Sequence, residues 1–345
     1  MLENTSPNLI DYVADAQLVL KKYPINLFLI KKYQFQDKKA VWFIKTSKDL
    51  LSLKRYALDE QKWQAMISAY DFLSKKGGNI SPLIYTWDNK PWVYSKDYYY
   101  ILSPWVKGKP ANYLNQENVI SIAQAVAKIH SLSKNFRVPK DSYWQEYLGS
   151  WPEKTRRKQG LLLEYRYQSE NLLPQTFAKI YLDNFQTFFS LLEDVSEAFE
   201  GPLYREWVKK ISREPCLCLN GFSPRNFSVG KDKTWILHID NICIDLPARD
   251  LRKFLYQVMS TKETWCKETF ATIMKEYLKL YPLSDDELKI LLAELKTPYH
   301  FMNITSRYFL QEDSSKLENF STLLNKTLKL EQSKFSLLYR FWQLI

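Results

Sequence analysis

A short β-hairpin set between two long helical tracts is the feature that most restricts how this chain can fold. Phe227–Val229 and Thr234–Asp240 are β-prone arms around the polar turn Gly230-Lys231-Asp232-Lys233, whose Gly and Asp suit a tight reversal. Before the hairpin, residues 140–215 form an aromatic-rich and mostly helical stretch. After it, Asp250 to Ile345 is again mainly helical, and Leu283-Ser284-Asp285-Asp286-Glu287 supplies a helix cap with an acidic first turn.

The remaining strand signals gather near the start. Thr5-Ser6-Pro7 opens a helix, with Ser6 as cap, whose rough apolar face is Leu9, Val13, Leu18 and Leu20. Strand-like segments follow at Leu27–Lys31, Ala40–Thr46 and Leu50–Tyr56, then a helix over Asp59–Lys75. Further strands are expected at Pro82–Trp87 and Trp92–Leu102, the second holding Tyr98-Tyr99-Tyr100, which reads as strand packing with tyrosine crosslinking as the other reading. Gln116–Ser131 has helical periodicity through Val119, Ile122, Ala123, Val126 and Ile129, and His130 near its end is expected to be structural.

Composition excludes several classes. The chain of 345 residues suits two lobes sharing an interface, and 46% hydrophobic with 25% charged residues falls in the ordinary globular range. Its first residues carry scattered acids and no compact apolar run, and no stretch reaches ~18 consecutive apolar residues, so neither a secretory signal nor a membrane span is expected. Basic residues exceed acidic ones by 49 − 38 = 11. The pairs Lys31-Lys32, Lys38-Lys39, Lys75-Lys76 and Lys209-Lys210 and the run Lys154–Lys158 are dispersed, which favours a solvated surface over a nucleic-acid face. Cys216, Cys218, Cys243 and Cys266 do not make a disulfide framework, and C-x-C is not a C-x-x-C zinc spacing. Buried free thiols are expected, with thiol crosslinking during assembly as the sharper reading.

The segment Leu217–Lys253 has the layout of a phosphotransferase catalytic segment without its chemistry. In kinase-like loops reading H-x-D-x-x-x-x-N, the Asp takes or orients the substrate hydroxyl proton and the Asn holds a metal ion. Here Asn226 stands at the Asn, Gly221 at the catalytic Asp and Leu219 at the His. Anchored on Trp235 and Asp245-Leu246-Pro247, His238 takes the first and metal-binding place of an I-D-x-D pattern and Asp240 the second, roughly 6.6 Å along the same strand face. Magnesium prefers oxygen ligands, so an imidazole is a poor exchange there. The first hairpin, Tyr33–Lys39, has no Gly with which to bring backbone amides close to phosphates.

Lys54, in Leu53-Lys54-Arg55, matches the strand lysine that contacts phosphates in related enzymes, and its usual helix Glu is missing, with Ser68 near that register. Either Lys54 keeps a residual anion contact or one of 49 basic residues has fallen in the frame by chance. Trp105-Val106-Lys107-Gly108-Lys109-Pro110 lies where a hinge would read adenine through its backbone, and Pro104 offers no amide. With Leu148-Gly149-Ser150-Trp151-Pro152, Pro224-Arg225-Asn226 and Asp245-Leu246-Pro247-Ala248-Arg249-Asp250-Leu251-Arg252-Lys253, these motifs, in this order, resemble the CotS-type spore coat proteins of endospore-forming Firmicutes, a branch of the aminoglycoside and choline kinase superfamily.

The resemblance implies an α+β, two-lobed protein-kinase-like (aminoglycoside phosphotransferase-like) fold with a small β-rich N-lobe and a larger, mainly helical C-lobe. Its expected bounds are 1–102 for the N-lobe, 103–110 for the hinge and 111–345 for the C-lobe, with a catalytic-loop remnant at 217–245 and an insertion at about 140–215. Asp245, Arg249, Asp250 and His130 are expected as scaffold residues, Asp250 tying the loop backbone to the helix beneath it. The expected function is a non-catalytic structural or interaction component of the endospore coat. It would be made in the mother cell and partnered by other coat proteins, with no required cofactor and only residual places for ATP or magnesium at Lys54, Asn226 and Asp240. Two alternatives stay open: a small-molecule kinase with a rearranged site, and a binder of nucleic acid or another anionic polymer.

Overall fold

The computed structural model describes residues 9–36, 39–140, 142–144, 147–311 and 319–345. The helix start expected at Ser6-Pro7 and the centre of the Tyr33–Lys39 turn lie outside them. The chain divides into two compact units: residues 1–111, 136–144 and 225–241 form the first, and residues 112–135, 145–224 and 242–345 the second. The sequence reading kept 217–245 whole within the C-lobe, whereas by contacts residues 225–241 pack with the first unit.

The first unit opens with α1 (Leu9–Leu20), followed by β1 (Leu27–Gln36), β2 (Lys39–Thr46) and β3 (Leu50–Tyr56). Ala16, Val19, Leu20 and Tyr23 join Trp42, Ile44, Leu53, Tyr100 and Leu102 in one core. Leu18, expected on the apolar face, is instead 51% exposed, because helical geometry turns it away from Val19 and Leu20 toward solvent. Next comes α2 (Glu60–Lys75), capped by Asp59 accepting from Lys62 N, and then β4 (Val93–Ser95) and β5 (Tyr98–Pro104). These strands form an antiparallel sheet in the order β1-β2-β3-β5-β4. The expected strand Trp92–Leu102 is therefore a hairpin, broken where Lys96 and Asp97 adopt φ of 49° and 63°. Pro82–Trp87 is not a strand: only Ile84 bridges to Leu102. Tyr98–Tyr100 is strand packing, with Tyr99 stacked on Trp63 at 4.4 Å between centroids.

After β6 (Lys109–Pro110), the second unit runs through α3 (Gln116–Ser133), α4 (Trp151–Asn171), α5 (Thr176–Glu200), α6 (Pro202–Arg213) and β7 (Leu217–Cys218). The chain then returns to the first unit through a 3₁₀ turn at Pro224–Asn226, β8 (Phe227–Val229) and β9 (Thr234–Ile236), which form a three-stranded sheet with β6. Gly108 permits the approach of β6 to β8, since a Cβ there would lie 2.8 Å from Val229 O. The hairpin's second arm ends at Ile236 rather than Asp240: Leu237 N makes one more in-register bond, to Asn226 O at 2.8 Å, and the pairing goes no further because the facing chain turns into the 3₁₀ segment Pro224–Asn226.

The second unit closes with β10 (Cys243–Ile244), paired to β7, and α7 (Ala248–Thr261), α8 (Lys267–Leu278), α9 (Asp285–Lys296), α10 (Tyr299–Phe309) and α11 (Phe320–Leu338). Ser284 and Glu287 form a reciprocal capping box at the start of α9. An aromatic core holds the insertion helices, with Phe188 stacked on Phe301 at 3.9 Å and Tyr181 on Phe301 at 5.6 Å. Among the described residues no helix is long and apolar enough to cross a membrane.

Candidate functional site

Lys54 lies on the central strand β3, between Val41 and Ile101 of its neighbours, and is buried. It is not left unpaired, as the missing helix Glu had implied: its Nζ donates to Leu237 O at 2.6 Å. Ser68, the residue at the register of that Glu, spends its hydroxyl on Ala65 O of its own helix. Burial pulls the Lys54 ammonium down to about 8, against the opposing charge of Asp240.

The residues after β9 bring three charged or titratable groups together. Lys39, at the start of β2, forms an ion pair through Nζ with Asp240 Oδ2, while His238 Nδ1 is 3.9 Å from Asp240 Oδ1. Burial and the nearby Lys54 charge hold His238 down at about 4, so the imidazole is neutral at physiological pH and this contact is no ion pair. Burial opposes ionisation of Asp240, yet the Lys39 ammonium outweighs it and holds the carboxyl below its usual range. His238 and Asp240 are thus neighbours as expected, although they sit in irregular backbone rather than on one strand face. Lys39 was counted only as part of a dispersed basic pair. The structure sets it opposite Tyr56 across β2 and β3, one residue before the expected strand Ala40–Thr46, and nothing local in the sequence named Asp240 as its partner.

In the second unit the loop scaffold is complete. Asp250, fully buried at the start of α7, accepts Leu219 N at 2.6 Å and Asn220 N at 2.9 Å. His130 of α3 presents Nε2 to Asp250 Oδ2 at 3.1 Å and Nδ1 to Tyr277 Oη at 2.6 Å. Asn220 adopts φ of +57°, a left-handed conformation that Asn tolerates better than most residues, and its carbonyl accepts Lys253 Nζ at 3.0 Å. The contact between Asn220 and Lys253 was not read from the sequence, although Asn beside Gly221 is a signal for such backbone and Lys253 closes the Asp245–Lys253 motif. Asp245 accepts Trp151 Nε1 at 3.1 Å and its own neighbour Leu246 N at 2.8 Å, and pairs with Arg249. Gly221 follows Asn220 in irregular backbone, half-buried, and brings no side chain to the loop. Asn226 ends the 3₁₀ turn, its carbonyl engaged by Leu237.

A cavity of ≈ 550 Å³ lies wholly within the first unit, lined among others by Lys54, Ser52, Tyr70, Ser103, Trp105 and His238. That volume is in the range of small-molecule sites. On its rim Trp105 N is already spent on Leu50 O at 2.8 Å and Pro104 has no amide to give.

A family model described as "Spore coat putative kinase YutH" matches residues 17–341. The chain belongs to this family. As a YutH-family protein it is 22% identical over 321 residues to spore coat protein S of Bacillus subtilis (strain 168), across 93% of this chain and 92% of that protein. Among solved structures, the YutH-family chain superposes on an aminoglycoside phosphotransferase from Alicyclobacillus acidocaldarius with a TM-score of 0.80 at 15% identity, covering 100% of this chain and 98% of that one. A choline kinase from Cryptosporidium parvum gives 0.57 at 11% identity, covering 96% and 97%. The fold is therefore the α+β aminoglycoside-phosphotransferase-like fold, with a small sheet-bearing part and a larger helical one.

Enzymes of this fold class use a nucleotide with magnesium, and the two fit this YutH-family chain differently. The cavity and the Lys54 ammonium suit an anionic small molecule. Asp240 Oδ1 is buried without a hydrogen-bond partner, which leaves one free oxygen. Its charge is already balanced by Lys39, and the adjoining ligand is an imidazole, whereas magnesium demands near-octahedral oxygen coordination. The residues present do not fit magnesium.

Proposed function

We propose that this protein is a non-catalytic, kinase-fold structural or interaction component of the spore coat, made in the mother cell and held by other coat proteins. The observation that carries the reading is the Lys39–Asp240 ion pair, which occupies the one carboxylate left at the metal position while His238 stands neutral beside it. Gly221 supports it, because a loop with no side chain at the position of the general base forgoes about 10²- to 10⁴-fold of rate before any metal deficit is counted. The intact hold of Asp250 on the loop amides fits a protein in which the loop's shape is kept and its reactivity is not.

A second reading, a small-molecule kinase with a rearranged site, is favoured by one feature: Asp240 Oδ1 is buried and unbonded beside a cavity that carries Lys54. Binding of nucleic acid or another anionic polymer rests on net charge alone and ranks below both.

The melting temperature of the full chain with ATP plus magnesium, ATP plus chelator, and magnesium alone separates the two main readings, since a ligand that binds the folded state stabilises it. No magnesium-dependent shift at millimolar ATP is expected. A magnesium-dependent shift that disappears in Asp240→Ala would replace the coat-scaffold reading with the kinase one.

A further inference from the structure

His130, Cys216 and Cys218 converge in the interior of the second unit, whereas the cavity residues belong to the first. One ring nitrogen of His130 and both sulfurs lie within 4.8 Å of one another, and all three residues are buried. Cys218 belongs to β7 and Cys216 immediately precedes it, so the two side chains, two residues apart on extended backbone, share one face. His130 reaches them from α3.

The hydrogen bonds around His130 orient it in the manner of a metal ligand. Asp250 accepts two backbone amides and so acts as an acceptor, which makes His130 Nε2 the protonated nitrogen that donates to Asp250 Oδ2 at 3.1 Å. The lone pair then resides on Nδ1, now facing Tyr277 Oη at 2.6 Å. A histidine whose second nitrogen is held by a carboxylate is the usual outer support of a zinc-bound imidazole. Two thiols, one imidazole and a phenol oxygen within reach make a soft, four-donor set of the kind that selects zinc or cobalt over magnesium.

We propose that His130, Cys216 and Cys218 form a structural site for a zinc-like divalent cation, with Tyr277 as the fourth donor. Binding displaces one proton from each thiol to solvent, so a divalent cation, two thiolates and a neutral imidazole add no net charge to the interior. That balance makes a fully buried site electrostatically tolerable. The site clips α3 and α8 to β7, the strand that leads directly into the Leu219–Asn220 segment held by Asp250. It rests only on the second unit and stands or falls independently of whether the cavity of the first unit binds nucleotide.

The test is the metal content of the full chain produced in zinc-supplemented medium, followed by the spectrum of protein produced with cobalt instead. Close to one metal per chain is expected, with a thiolate-to-cobalt charge-transfer band and tetrahedral ligand-field bands. Cys216→Ser and Cys218→Ser should each abolish the bands while Cys266→Ser, the half-buried thiol beside Glu268, keeps them. X-ray absorption on the unaltered cobalt protein, counting two sulfur ligands, answers the same question should either variant fail to fold. Metal-free protein from both media, or bands that survive Cys216→Ser and Cys218→Ser, would overturn the site.

Discussion

Lys54 donates its ammonium to the carbonyl of Leu237, 183 residues further along the chain, at 2.6 Å. In an enzyme of this fold that lysine would be free to meet phosphate; here a backbone oxygen of the segment after β9 already receives it.

The Lys54 ammonium titrates near 8 when folded against 10.5 ordinarily, because burial disfavours its charge. Below about 8 both folded and unfolded chains carry the proton, and the folded state bears the full cost of burying it. Above that pH the folded chain sheds the proton while the unfolded chain keeps it until about 10.5, so this group's contribution to stability rises with pH across the interval. Lys54→Met should flatten that rise. Denaturant unfolding of both proteins at several pH values between 7.5 and 9.5 measures it, and parallel curves for the two would show the assignment to be mistaken.

Lys39→Ala strips Asp240 of the one fully charged ion-pair partner it has among the described residues. Lys39 is 45% exposed and Asp240 6%, so the loss falls between that of a surface pair and that of a buried one, on the order of 1–2 kcal/mol. The Asp240 carboxyl should then titrate higher than in the parent, visible as a shift of its carboxyl resonance in a pH series. An unchanged resonance would mean that Lys39 does not govern it.

Asp250→Ala leaves the amides of Leu219 and Asn220 and the imidazole of His130 without their common acceptor. Each buried group left unbonded costs about 1–3 kcal/mol, and Asn220 N is only part-buried, so a loss of at least about 3 kcal/mol is expected in equilibrium unfolding. Asp250→Asn, which keeps an acceptor oxygen, should recover part of it; equal losses for both would point to charge rather than hydrogen bonding.

Gly108→Ala drives a methyl group to 2.8 Å from Val229 O and 3.0 Å from Val229 C, which are backbone atoms and cannot rotate away. A cost of about 1–3 kcal/mol follows from forcing β6 off β8. Amide exchange should quicken at Val229 and Phe227 first, and a uniform change over the whole chain would refute a local clash.

What the sequence disclosed, and what it hid, follows from range. Asp59 and Ser284 announced their helices because a cap and its amide lie three residues apart, and β2 and β3 were visible in runs such as Val41–Ile44 that have no other use. Gly221, His238 and Asp240 could be assigned to their frame because motif spacing is itself local. Lys39 and Asp240 are 201 residues apart, and Lys54 and Leu237 are 183 apart. No local pattern encodes either meeting, since both depend on a hairpin far along the chain folding onto the first strands. The second arm of that hairpin is shorter than its β-prone residues imply for a related reason: Leu237 still bonds Asn226 in register, but the facing chain before Asn226 is a 3₁₀ turn and offers no further partner.

One end of the Lys39–Asp240 pair reaches solvent and the other does not. Dissolved ions therefore act on it unevenly. The screening length is about 8 Å at physiological ionic strength and shortens to about 3 Å at molar salt, so concentrated salt weakens the hold on Lys39 while leaving Asp240 shielded from water. Ionic strength thus adjusts how firmly the start of β2 is tied to the segment after β9, and a loss of water that concentrates the surrounding salt would relax that tie without any change of pH.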